Sequence, residues 1–274
     1  MLKPSDAHLW AKCALAGQML ASGAYTATVP LYEAGTEPGV SDSKREGTCA
    51  HWLADCVFNE FATYAADMIG EAHSNGWVVD DEMAGHVQDY VNYVLSFGPA
   101  VSSEMPVELF GLVRGRLDTV SSVNRIFDFK YGWRPVEAEE NYAMLCYGAA
   151  IWEQHGGDIE LHVYQPRPSH PDGVARVWKL SGWDMEDRYH WLKTRAEDCF
   201  VYPQGTPGNH CRDCPAAASC HALAANVQAQ YQLIIDDRMT EHTGDQLASH
   251  LTFMRLAADL AAARLKAVEA EAEA

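Results

Sequence analysis

Apolar positions along the chain change their period several times, and each change marks an element. Residues 6–20 read as a short helix with Asp6 as its N-cap. GTEPGVSDSKREG, rich in Gly, Pro, Ser and charge, predicts a loop ending near Gly47. From Thr48 to about Ile69, Trp52, Leu53, Cys56, Val57, Phe61 and Tyr64 recur at three and four, the spacing of an amphipathic helix, with His51 in its first turn. Met83, Val87, Tyr90, Val91 and Val94 predict a second helix over 81–95.

The period then shortens to two. VSSEMPVELFG, RGRLDTVSS and NRIFDFKYG are short β-branched or aromatic runs separated by turn residues, as in an antiparallel meander. Glu137, Glu139 and Glu140 precede a helix from about Asn141 to His155, where its positive end favours them. IELHVYQPR and VARVWKLS read as further strands. After Asp184 the chain returns to helix, passes through the loop VYPQGTPGNH and enters a cysteine cluster. Leu247, Leu251, Met254, Leu256 and Leu260 predict a last helix over 244–274 that frays in its low-complexity end. This order predicts an α/β fold, a central mixed β-sheet flanked by helices. The expected organisation is one domain over 1–274, with a core of about 45–200, a cysteine region at 199–223 and the terminal helix.

Composition adds bounds. With 48% hydrophobic and 21% charged residues, the 274-residue chain has the make-up of an ordinary globular protein. No run of eighteen apolar residues occurs, and MLKPSDAHLW lacks the apolar stretch of a signal peptide, so a cytoplasmic protein with no membrane partner is expected. A net charge of −18 opposes general attraction to nucleic acid. Basic residues nonetheless gather between Arg114 and Arg134, a local basic site on an acidic body.

Two groups of residues carry candidate chemistry. Cys211, Cys214 and Cys220 form C-x2-C-x5-C beside His210 and His221, and such thiolates suit zinc or an iron-sulfur cluster. Zinc would draw its fourth ligand from His210, His221 or Cys199, a cluster from a distant cysteine such as Cys13 or Cys49; three buried thiols without metal is the plain alternative. In FDFKYGWRP, Asp128 and Lys130 share one strand face and Phe127 and Phe129 the other. If a hairpin sets Asp118 opposite Asp128, the two carboxylates suit a divalent cation and the ammonium a phosphodiester in flight. The spacing by itself is better described by a solvated cross-strand salt bridge.

EGTCAH (46–51), GRLD (115–118), DFKYG (128–132), the helix containing Tyr147 and C-x2-C-x5-C follow the order seen in RecB-type nucleases of the PD-(D/E)xK superfamily. The chain resembles their phage and prophage members and the iron-sulfur exonucleases of CRISPR adaptation, from about Trp10 to the C-terminal helix. The resemblance implies a restriction-endonuclease-like core. It implies that His51, Asp118, Asp128 and the Phe129 carbonyl hold Mg2+ or Mn2+, with Lys130 and Tyr147 completing the site. Ala143 stands where the family motif has glutamine, for which Gln165 or Asn141 is a substitute amide. The resemblance also implies that Cys13 joins Cys211, Cys214 and Cys220 as ligands of a structural [4Fe-4S] cluster, with Zn2+ the alternative.

The implied activity is metal-dependent DNA exonuclease action in phage recombination, replication or DNA processing, with DNA and a phage recombination or replication protein as partners. A non-cleaving DNA-binding or assembly module of the same fold is the alternative. Arg114, Arg116, Tyr131, Arg134, Gln165 and Arg167 are the candidate DNA contacts, and Trp133 a candidate base-stacking residue. Glu104 and Glu108, on a preceding strand, read as solvated surface, with contact to the metal site the alternative, and Cys49, Cys56, Cys146 and Cys199 as small apolar fillers.

Overall fold

The structure, a computed structural model, describes residues 1–23, 42–99, 102–122, 124–236 and 243–273. In chain order the elements are α1 (Ala7–Trp10), α2 (Ala14–Ala21), α3 (Asp42–Phe58), α4 (Asp81–Leu95), β1 (Ser102–Leu109), β2 (Val113–Ser122), β3 (Arg125–Phe129), α5 (Tyr142–His155), β4 (Ile159–Tyr164), β5 (Ala175–Leu180), α6 (Gly182–Val201), α7 (His221–Asp236) and α8 (Gly244–Glu273). Short 3-10 turns occupy Pro4–Asp6, Ala65–Met68 and Asn209–Asp213. The described residues divide into two compact units. One gathers those of Met1–Leu2, Asp6–Tyr32 and Lys193–Ala274, the other those of Lys3–Ser5 and Glu33–Leu192.

The larger unit is built on a five-stranded sheet of order β1-β2-β3-β4-β5. β3 and β4 run parallel and every other neighbouring pair antiparallel, so the sheet is mixed and the fold is α/β with flanking helices. The parallel step is where the chain crosses over through α5, which lies against β1, β3 and β4. Phe127 and Phe129 turn into a core shared with Leu53 of α3 and Val87 and Tyr90 of α4. Tyr90 stacks on Phe129 with ring centroids 4.6 Å apart.

Helix ends follow their caps. Asp80 accepts a bond from the Met83 N–H at 2.8 Å and starts α4 at the expected residue. The Asn141 side chain accepts from the N–H groups of Ala143 and Met144 and starts α5. α3 differs from expectation at both ends. It begins at Asp42 inside the polar run expected as loop, of which residues 35–41 lie outside the described residues. It stops at Phe58 because Glu60 takes a left-handed φ of 60° and the Phe61 N–H closes back on the Cys56 carbonyl, a Schellman-type ending without glycine.

The smaller unit is helical. The expected single helix over 6–20 is broken at Cys13, whose extended backbone (φ −145°, ψ 106°) separates α1 from α2, and Asp6 makes no side-chain cap bond. Helix α7 was not anticipated, and α8 continues to Glu273 instead of fraying. Among the described residues no helix is long and apolar enough to cross a membrane.

Candidate functional site

The antiparallel registers align three carboxylates. Ser103↔Thr119 and Met105↔Leu117 bracket Glu104 and Asp118 on β1 and β2, and Thr119↔Phe127 carried one step on sets Asp118 opposite Asp128 of β3. Glu104 takes a left-handed φ of 48° inside β1, a conformation costly for an L residue, so the strand is distorted where its carboxylate joins the row. α3 brings His51 to the same place: its Nδ1 lies 3.3 Å from Asp118 Oδ2, and its ring packs against Phe129. Among the described residues, ligand atoms of His51, Glu104 and Asp118 lie within 4.8 Å of one another. One imidazole and two carboxylates at that separation fit a divalent cation with small side-chain adjustments.

Asp128 is turned toward Lys130. The Lys130 ammonium donates to Asp128 Oδ1 at 2.9 Å and stands 2.8 Å from Oδ2, which has no hydrogen bond of good angle despite its burial. The Phe129 backbone also meets the site through its N–H, which donates to Asp118 Oδ2 at 2.8 Å.

This crowding sets the charges. Burial raises the pKa of Asp118 and the Asp128 carboxylate adds to the rise, while His51, Lys130 and the Phe129 N–H oppose it. Glu104 is raised by burial and by Asp118. Burial disfavours the Lys130 ammonium, but Asp128 and Asp118 outweigh it and raise the pKa, so the side chain stays protonated. Tyr147 of α5 is raised by burial and then by the negative potential of Asp128 and Asp118, and stays a phenol.

The candidate DNA contacts separate into two groups. Arg114 and Arg116 are exposed and bonded to Glu108 and Glu104, at 2.7 Å and 3.5 Å, and Arg134 is exposed. Arg116 therefore ties into the acid row, and Glu104 is a partly buried member of the site instead of solvated surface. The other three are internal, which corrects their expected role. Tyr131 is 3% exposed, with the Arg167 guanidinium 3.8 Å from its ring centroid. Arg167 binds Glu46 through two bonds of 2.7 and 2.8 Å and lies 3.3 Å from Glu82. Gln165 is fully buried, and its amide is spent on the main chain of the loop after Lys130. It donates to the Gly132 and Arg134 carbonyls and accepts from the Val136 N–H and Arg176. Gln165 and Asn141, the two substitute amides for Ala143, are thus both held in structural bonds. Trp133, by contrast, is 66% exposed.

In the smaller unit, Cys13, Cys211, Cys214 and Cys220 line one cavity with Leu15 and Met19, and all are free thiols. His210 lines it too, whereas His221 is exposed. Backbone N–H groups point at the sulfurs: Thr206 at Cys13 (3.4 Å), Gly208 at Cys211 (3.4 Å) and Leu223 at Cys220 (3.5 Å). Burial pushes the Cys214 thiol up to about 11 and also raises Cys211, while backbone bonds pull each the other way. Four sulfurs on one cavity, each met by a backbone donor (that of Ala216 at Cys214), fit a thiolate-bound metal group.

No curated protein matches the sequence. A family model described as a protein of unknown function (DUF2800) matches residues 1–273, and with nearly its whole length covered the chain belongs to the DUF2800 family.

Proposed function

We propose that the protein is a divalent-metal-dependent deoxyribonuclease, acting as an exonuclease of the RecB-like PD-(D/E)xK type in a cytoplasm where phage DNA is recombined, replicated or processed. The observation that carries this reading is the meeting of His51, Glu104 and Asp118 within 4.8 Å, with the Asp128–Lys130 pair on the adjoining strand. His51, Glu104 and Asp118 would hold Mg2+ or Mn2+, with Asp128 beside them. Such a cation supplies Lewis acidity toward a phosphodiester and lowers the pKa of water.

The side chains do the rest. Lys130, kept protonated by Asp128 and Asp118, orients the attacking water and offsets charge on the phosphoryl oxygens. Tyr147 offers a neutral O–H donor close to the same carboxylates. Arg114 and Arg134, both exposed, meet neighbouring phosphates.

Cys13, Cys211, Cys214 and Cys220 would hold a [4Fe-4S] cluster. The C-x2-C-x5-C spacing, with Cys13 lining the same cavity, supports this reading, and Zn2+ is the alternative. Hydrolysis moves no electrons, so the cluster's role is to fix α2 and the 211–220 segment together.

A second reading, a non-cleaving DNA-binding or assembly module, draws on the net charge of −18 and on the burial of Tyr131, Gln165 and Arg167. Anaerobically purified protein assayed on end-labelled single- and double-stranded DNA with and without Mn2+ separates the two. Mn2+-dependent release of nucleotides, abolished by Asp118→Ala, supports the nuclease; full activity in that variant, or none in the unaltered protein, overturns it.

A further inference from the structure

One face of α8 is already used. Ala257 and Leu260 are buried, Arg264 donates to the Ala217 and Cys220 carbonyls at 3.3 and 3.2 Å, and Asp259 pairs with Arg212. A neighbouring face is not covered. Leu251 (47%), Met254 (48%), Leu265 (59%) and Val268 (44%) are exposed, and so are Ala258 and Ala261 between them. These six follow one another at three, four, three, four and three residues, and Leu247 and Ala272, also exposed, continue the spacing at either end. The period is 3.5, the heptad seam of a coiled coil, and its positions are water-facing on a 30-residue helix. Among the described residues of this helix only Ala257 and Leu260 are buried apolar positions, and covering the seam would add packing to theirs.

The order of side-chain sizes identifies the cover. Around the midpoint between Ala258 and Ala261 the seam is small at the centre and large on both flanks. An antiparallel second copy would set Ala258 against Ala261, Met254 against Leu265 and Leu251 against Val268, so that every a position meets a d position. Small residues let the axes approach in the middle, and the larger ones fill the layers outside. A parallel copy would also match sizes, but it would bring Glu269, Glu271 and Glu273 of the two copies together, which the antiparallel arrangement keeps at opposite ends.

We propose that α8 is a homodimerisation element, forming an antiparallel two-stranded coil with α8 of a second copy of this chain. The exposed seam supplies on the order of 1,000 Å2 over two copies, at the lower edge of stable interfaces, so the dimer is reversible in the micromolar range. Each copy carries a net charge of −18, so repulsion opposes association and added salt strengthens it.

The test is sedimentation velocity of the full chain from about 1 to 200 micromolar at two salt concentrations. A monomer–dimer equilibrium that tightens with salt is expected, weakened at least about tenfold by Met254→Lys or by Leu265→Glu alone. Both substitutions are at exposed positions, and circular dichroism checks that helix content is kept. The double variant brings Lys opposite Glu only in the antiparallel register, so it regains dimerisation there and not in a parallel coil. Monomer throughout the range overturns the proposal and leaves the seam to another partner. A dimer indifferent to the single variants, or one that the double variant does not regain, overturns it as well.

Discussion

Glu104 and Asp118 face each other across β1 and β2, and the backbone at Glu104 is left-handed (φ 48°) where its carboxylate joins Asp118 and His51. Position and strain therefore separate experimentally. Glu104→Gly should relieve the backbone and leave stability unchanged or raised by about 1 kcal/mol, while Mn2+ affinity from isothermal titration falls. Glu104→Gln should lose affinity without the gain in stability. Equal Mn2+ binding by both variants and the unaltered protein would remove Glu104 from the site.

Arg167 and Glu46 form a bidentate ion pair, with the Arg167 side chain 6% exposed and that of Glu46 17%. Losing one partner strands the other. Arg167→Met should cost about 3 kcal/mol in chemical denaturation, and adding Glu46→Leu should recover much of it. Arg167→Lys should recover little, because an ammonium cannot make the paired bonds or lie flat on Tyr131.

Gly17 of α2 lies where a Cβ would come 2.3 Å from Cys199 Sγ and 2.8 Å from Trp10 Cβ. Alanine, usually favourable in a helix, should here destabilise by about 1–3 kcal/mol through overpacking. A thermal scan of Gly17→Ala showing an unchanged or higher midpoint would contradict this contact.

His162 is buried against Phe127, bonded through Nδ1 to the Tyr93 hydroxyl at 2.9 Å, and burial pushes its pKa down to about 4 despite Glu160. The unfolded chain, titrating near 6.5, binds this proton first as pH falls. Stability contributed by the neutral ring is intact above about 6.5 and is lost progressively as pH drops toward 4, by up to about 3 kcal/mol. His162→Gln should flatten that part of the stability–pH curve, as urea denaturation at several pH values will read.

Much of the sheet and its helices follows from periodicity, because Asp80 and Asn141 cap α4 and α5 where the apolar pattern begins. The ends of α3 were hidden for physical reasons. Its first turns, DSKREG, have no apolar stripe, and its stop depends on Glu60 accepting a conformation that glycine usually marks. α7 escaped notice because HALAANVQAQ is alanine-rich with few large apolar residues. His51, Asp118, Asp128 and Lys130 could be picked out by motif. Glu104 could be noted as a carboxylate on the strand before Asp118, but its place opposite Asp118 depends on the strand register and on a left-handed residue that nothing in SSEMPV announces. Arg167 and Tyr131 misled because nothing local shows that Glu46, 121 positions before Arg167, pairs with its guanidinium, or that this guanidinium lies over the Tyr131 ring.

Gln165 has a consequence for the segment that follows Lys130. Beyond Phe129 the strand ladder ends, yet the Gly132 and Arg134 carbonyls and the Val136 N–H are bonded to one buried amide. The side chain serves as a surrogate strand, extending the hydrogen-bonded order of β3 into residues that have no β-partner. Trp133 and Arg134 are thereby presented to solvent from a stiff mount, and whatever they touch meets them without the entropic cost of ordering a loose loop.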